Sequence, residues 1–371
     1  LKGKALLCAQ DQGMSQPPHV SDLGPEPDSL PAYTDKVLRK TVVIDWYRTP
    51  IPAGELKSLH QRTDRRGWVQ TGGYLAVLGA AFAATVYSCS HAPWWVTVGA
   101  FFLYGTVAGF LLNAVHELGH GTVFKTKGLN VFFVHVVAFL SWTNHEIFQS
   151  SHTRHHRYTL HPPDDLEVTL PIRVMVKHFF QQSFVDLGGF WHALRETWRI
   201  ARGKFRGEWE LTLYPESAPE KRWEAVRWAW ALLLGHGVII AGSILSGHWI
   251  VGALISGGGF VGKWLFFLCN NTQHIGLQDH VPDFRLCSRT FLLNPVTQFL
   301  YWHMNFHIEH HMYAAVPCYN LERLHHLIAY DLPPSPNGIY AVWKEIAMIQ
   351  ARQAADPTYR YEAPIPSRPG A

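Results

Sequence analysis

Apolar positions in this chain come in long blocks, and the polar residues collect at the block ends. Residues 69–89 and 92–114 carry no charged side chain, and neither do residues 228–246. A fourth block, 248–269, is interrupted only by Lys263. A bilayer core of about 30 Å takes about 20 helical residues, so each block is long enough to span it. The links Ser90-His91-Ala92-Pro93 and Ser246-Gly247 are short, which pairs the blocks into two helical hairpins. Between the pairs, Leu129–Trp142 is apolar but too short to span and fits a buried or half-inserted helix. From Pro171 to about Lys204, apolar and aromatic residues alternate with Arg, Lys and Gln at helical spacing. That pattern suits a helix lying in the membrane interface, or an ordinary surface helix.

The fold class expected from the pattern is all-α and integral to a membrane. Four transmembrane helices form two hairpins, and a helical cytosolic cap lies outside them. The organisation reads as a cytosolic N-terminal segment over 1–68, a catalytic unit over 69–330 and a C-terminal cytosolic tail over 331–371. Residues 14–40 contain Pro17, Pro18, Pro25, Pro27 and Pro31 and read as a mobile lead-in. Residues 1–13 lack the apolar run of a secretion signal; Met14 is expected to be the native start, with the preceding residues added by an expression vector.

Charge adds an orientation. Both short links are free of Lys and Arg, whereas Arg62, Arg65, Arg66, Lys125, Lys127, Arg154, Arg222, Arg285 and Arg289 lie in the segments outside them. Positive residues favour the cytoplasmic side, so both termini and the long middle segment are expected there. The membrane is the endoplasmic reticulum in a eukaryote or the inner membrane in a bacterium. A net charge of +4 with no basic tract argues against nucleic acid as a partner. Cys8, Cys89, Cys269, Cys287 and Cys318 form no CxxC pair, and Cys89 and Cys269 end on opposite sides. Lys263, near the exit of its block, is expected to snorkel toward the headgroups.

The unusual count is 23 histidines against 28 Asp and Glu. Eight of them stand in three groups: His116 and His120; His152, His155 and His156; His307, His310 and His311. Helical residues three or four apart share a face, so each group presents its rings together. Eight imidazoles exceed the four ligands of one zinc and suit two octahedral metals. Past the last block, Asn270 and His274 share a helical face on the same side of the membrane. His274 is a ninth candidate ligand, and Asn270 could hold a metal-bound water by its side-chain oxygen. A ligating ring needs its other N–H directed by an acceptor. Glu117 and Glu309, inside the groups, are the first candidates for that role, with Glu146, Asp164, Asp165 and Asp279 also available. His135 and His236 read as structural, the latter in a helix-to-helix hydrogen bond.

These residues resemble the membrane fatty acid desaturase family, with its three histidine boxes HxxxH or HxxxxH, HxxHH and (H/Q)xxHH. Here they stand as His116–His120, His152–His156 and His307–His311, and the resemblance covers about residues 65–330. The run His310-His311-Met312-Tyr313-Ala314-Ala315-Val316-Pro317 is also similar to the stretch at and after the family's last box. The resemblance implies two iron ions held by histidines, an Asn-to-water contact carried onto His274 and Asn270, and O2 as co-substrate. It implies attack on an unactivated C–H bond of a long-chain acyl lipid drawn from the bilayer. Desaturation is the expected outcome, and hydroxylation or ketolation of a lipid or alkane-type chain is the alternative. Zinc can occupy such a site in purified protein. No HPGG haem motif occurs, so electrons must come from a separate cytochrome b5, ferredoxin or rubredoxin with its reductase. Trp94, Trp95, Trp264, Phe266 and Phe267 could line an acyl tunnel or simply pack.

Two rivals remain at this stage. His116-Glu117-Leu118-Gly119-His120 also reads HExxH, the zinc-protease pattern with Glu117 as general base. That assignment leaves six or more histidines unexplained. A divalent-metal transporter would need ligands at the bilayer midplane, but these groups fall at one face.

Overall fold

The computed structural model describes residues 43–366. The lead-in at 14–40, the Met14 start and Cys8 lie outside the described residues. Within them the chain is helical, and extended pairing is limited to isolated bridges such as Tyr47 with Asp283.

Helix α1 (Asp64–His91) starts from a Thr63 cap that accepts from the Arg66 N–H. It packs antiparallel on α2 (Trp94–Gly119), whose last turn holds His116. Helices α3 (Lys127–Leu140) and α4 (His145–Tyr158) follow, bent from one another by 109°. The bend comes where Asn144 leaves α3 and caps α4, accepting from the Ile147 N–H. Helices α5 (Val176–Ser183), α6 (Leu187–Ala201) and α7 (Gly207–Leu213) lead into the long α8 (Pro219–Leu245). Helices α9 (Trp249–Gly257) and α10 (Trp264–Asn270) then bring the chain back toward the histidines. The short α11 (His307–Met312) carries the third group, and α12 (Leu321–Ile328) and α13 (Gly338–Ala355) close the fold.

Three of these helices, α1, α2 and α8, are long and apolar enough to cross a membrane, or up to four with the bent α3–α4 pair. Their outer faces carry exposed Val77, Val98, Leu103, Leu234, Val238 and Ile244, which fits a lipid surround better than water. This makes the protein a multi-pass integral membrane protein.

The expected fourth span is not one continuous helix. It breaks over Gly258–Lys263, between α9 and α10. A Cβ on Gly105 of α2 would sit 1.9 Å from the Val261 carbonyl oxygen, so the two backbones touch. Gly262 adopts φ +69°, a conformation that a side chain would strain, and its Cβ would sit 2.4 Å from the Phe102 carbonyl oxygen of α2. Lys263 does not snorkel. Its ammonium is buried and lies 2.6 Å from Asp186, the cap of α6.

The expected tail also differs. Val342, Ile346 and Ile349 of α13 are fully buried, Trp343 donates its indole N–H to the Leu268 carbonyl, and Glu345 pairs with Arg289. Apolar burial at this periodicity fixes the helix against the core. On α5 and α6, Val176, Phe180, Leu187, Trp191 and Trp198 are exposed, the apolar face expected of an interfacial segment. His236 bridges helices as anticipated, bonding Ser256 at 2.9 Å and the Phe139 carbonyl at 3.0 Å.

Candidate metal centre

Four separate stretches deliver nine imidazoles to one place. α2 supplies His116 and, at its cap, His120. α4 supplies His152, His155 and His156 from one face, as the i, i+3, i+4 spacing requires. The turn after α10 brings His274, and α11 brings His307, His310 and His311.

The rings sort into two sets. Ring nitrogens of His116, His120, His152, His156 and His310 lie within 4.8 Å of one another, as do those of His155, His274 and His311. His307 joins the second set, its Nε2 3.0 Å from His274 Nε2 and 3.1 Å from His311 Nε2. In the first set, His156 Nε2 lies 2.9 Å from His152 Nε2 and 3.0 Å from His310 Nε2.

The far side of several rings faces carboxylate and carbonyl oxygens that accept from it. Glu117 takes His116 Nδ1–H at 2.9 Å, Glu167 takes His152 Nδ1–H at 2.9 Å and Asp165 takes His155 Nδ1–H at 2.8 Å. The Cys287 carbonyl takes His274 Nδ1–H at 2.7 Å. An imidazole protonated at Nδ1 keeps its lone pair on Nε2, and those lone pairs converge. Lone pairs about 3 Å apart repel unless a cation lies between them. His120 Nε2, His156 Nδ1, His307 Nδ1 and His310 Nδ1 are also buried without a hydrogen-bond partner among the described residues. This donor set fits divalent metal ions.

Burial sets the charge state. It presses His274 down to about 3, and His307, His310 and His311 well below the ordinary histidine value. Neutral rings are the form that binds metal. Burial also lifts the Glu167 carboxyl to about 7. Asp165, although buried, stays below the usual carboxylate range because His155 and the N–H groups of Leu160 and Glu167 face it.

Other expected residues fall differently. Glu309 touches no box histidine; its carboxylate is taken by His325 Nδ1 and Thr290 Oγ1 on the opposite side of α11. It therefore braces the helix against α12. Asn270 accepts from the Asn113 amide at 3.4 Å, linking α10 to α2. Asp164 pairs with Arg154, and Glu146 and Asp279 stand beside His145 and His280. Glu117 faces His116 and lies 3.5 Å from His310, among more histidines than one zinc uses. Trp94 and Trp95 are exposed at the far end of α2, whereas Phe266 and Phe267 are buried.

Glu167 is the residue that sequence reading missed. It lies 15 positions beyond His152, across a proline-rich turn, and no periodicity links the two.

A family model described as fatty acid desaturase matches residues 92–343, well over half of the chain. No curated protein matches the sequence.

Proposed function

We propose that this chain, which belongs to the fatty acid desaturase family, holds two iron ions and uses O2 to remove hydrogen from an unactivated C–H bond of a long acyl chain, leaving a double bond. Convergence of nine histidines from four segments, their Nε2 atoms as close as 2.9 Å, carries this reading. His116, His120, His152, His156 and His310 would hold one ion, and His155, His274, His307 and His311 the other. Asn270 is assigned a contact through water. Bound iron with open positions supplies the activation of O2.

The chain's own part is orientation and exclusion of water. Glu117, Glu167, Asp165 and the Cys287 carbonyl fix ring tautomers, and burial of the histidines keeps bulk water from them. Orienting acceptors of this kind commonly change metal affinity by about 10–100-fold. For each double bond formed, O2 takes two hydrogens from the acyl chain, with two electrons and two protons from outside, and leaves as two waters. The electrons come from a separate carrier of cytochrome b5, ferredoxin or rubredoxin type with its reductase. We assign the centre and both termini to the cytoplasmic side, supported by the Lys and Arg distribution.

Expression in a host of known lipid profile, with metal analysis of the purified protein, tests the proposal. About two irons per chain and a product lighter by about two mass units are expected; a product heavier by about sixteen would make the enzyme a hydroxylase. A single zinc per chain that iron cannot replace, with no change in the host's lipids, would defeat the reading. His155→Ala and His310→Ala should lose turnover and iron while still inserting in the membrane.

A further inference from the structure

Residues 44–51 pack against Pro282, Met312 and Asp331, and one ring in that stretch reaches the histidines through a second ring. Trp46 lies flat on Phe284, with ring centroids 4.1 Å apart and planes 8° from parallel. Phe284 is fully buried, and its ring centroid is 5.4 Å from that of His311. His311 belongs to the second histidine set and stacks on His156 of the first, centroids 4.4 Å apart. On its other edge, the Trp46 indole N–H donates to the Arg157 carbonyl at 3.0 Å, one residue from His156. Trp46 itself is only partly buried. A continuous path of packed atoms thus runs from solvent to both histidine sets.

The segment is pinned so that this stack is held. Tyr47 and Thr49 both donate to Asp331, at 2.6 and 2.7 Å, and the Arg48 Nε–H donates to the Met312 carbonyl at 2.8 Å. Tyr313 donates to the Thr49 carbonyl at 2.6 Å, and the Arg285 guanidinium lies 3.9 Å over the Tyr47 ring. Aromatic stacking by itself contributes about 0.5–1.5 kcal/mol, so this anchoring does more than the stack requires for stability.

We propose that Trp46 is where electrons enter the enzyme, passing through Phe284 toward the metal held by His311, and that the donor is a small acidic one-electron carrier protein. Electron tunnelling falls steeply with any gap and is faster through packed atoms than through water, which favours a surface ring stacked on a buried one. Arg48 and Arg157 are exposed beside Trp46, with Asp45 the acidic neighbour in the segment. Their charge would steer an acidic carrier into the brief, small contact usual for redox partners. Each transfer oxidises the carrier by one electron and reduces the bound metal by one, with no bond formed or broken. Two transfers supply the two electrons of one turnover. The inference rests on the iron reading above.

Reduction of the iron-loaded protein, followed spectroscopically without oxygen, tests it. The reductants are pre-reduced cytochrome b5 soluble domain, pre-reduced plant-type ferredoxin, and dithionite with a small mediator that needs no docking site. In Trp46→Leu the limiting rate at saturating carrier should fall about tenfold, equivalent to about 1.4 kcal/mol of barrier. Trp46→Phe should keep most of the rate, and the small mediator should reduce all three proteins equally. Carrier affinity for the metal-free protein, measured against salt, should be similar in wild type and Trp46→Leu.

An unchanged limiting rate in Trp46→Leu overturns the proposal. So does an equal loss with the small mediator, which would mark a structural role, or reduction of wild type by the mediator but by neither carrier. Wild-type protein that binds no iron overturns instead the function on which the inference rests.

Discussion

Asp165 is the carboxylate whose removal should be most informative. It is fully buried and takes three donors: His155 Nδ1–H and the Leu160 N–H on Oδ2, both at 2.8 Å, and the Glu167 N–H on Oδ1 at 2.9 Å. Asp165→Asn keeps the volume but turns one acceptor into a donor. With the amide oxygen toward His155, the new NH2 meets the Glu167 N–H; flipped, it leaves His155 without an acceptor. The first orientation orphans one buried N–H and the second orphans two, His155 Nδ1–H and the Leu160 N–H, at about 1–3 kcal/mol each. Loss of the carboxylate behind His155 should weaken metal binding by about 10–100-fold, or about 1.4–2.8 kcal/mol. Iron-loaded protein equilibrated against a graded chelator reads the second effect, and melting of the metal-free protein reads the first. Asp279→Asn, a more exposed carboxylate beside His280 and Arg360, should change neither. Wild-type iron retention in Asp165→Asn would refute the orienting role, as would an equal loss in Asp279→Asn.

Acid should destabilise the metal-free protein. Between the ordinary histidine value of 6.5 and about 3, the unfolded chain binds a proton at His274 that the folded chain refuses. His307, His310 and His311 are depressed in the same direction. Stability should fall below about pH 6.5 with a slope of up to about 1.4 kcal/mol per pH unit for each ring, partly offset by Glu167 and His155, whose raised pKa values favour the folded protein as pH falls; a metal-free protein that melts higher at about pH 4 than at about pH 7.5 would contradict this. Lys263→Met strands Asp186 and should cost about 3–5 kcal/mol in thermal or denaturant unfolding, much of it recovered by adding Asp186→Asn; no recovery would mean that Lys263 acts by packing alone. Gly105→Ala drives a methyl into the Val261 carbonyl and should cost about 1–3 kcal/mol, whereas an unshifted melting temperature would show that the two backbones can separate.

Much of this was legible in the chain because helical periodicity is a local property. The i, i+3 and i, i+4 spacing of the histidines gave their shared faces, and uncharged blocks marked α1, α2 and α8. What escaped was set by contacts distant in sequence. Residues 248–269 look like a span by hydropathy, yet the helix breaks where Gly105 of α2 meets Val261. Glu309 sits inside a histidine box but points to Thr290 and His325, because a helix has more than one face and six residues do not say which faces the centre. Glu167 carried no local signal at all. The expected tail over 331–371 carries no strong local signal for burial, and only tertiary packing of Val342, Ile346 and Ile349 makes α13 part of the core.

The Lys263–Asp186 contact also bears on how the protein is made. An isolated Lys deep in a spanning segment costs about 2.5–3.5 kcal/mol to insert, and the glycines around it weaken the segment further. Asp186 lies 77 residues earlier, so it has already been synthesised when Lys263 emerges from the ribosome. Partnering by Asp186 turns an unfavourable burial into an assembly step, in which α6 must be present before Lys263 can be enclosed. Assembly of this part of the fold therefore has a preferred order, with α6 in place before the break between α9 and α10 can close around Lys263.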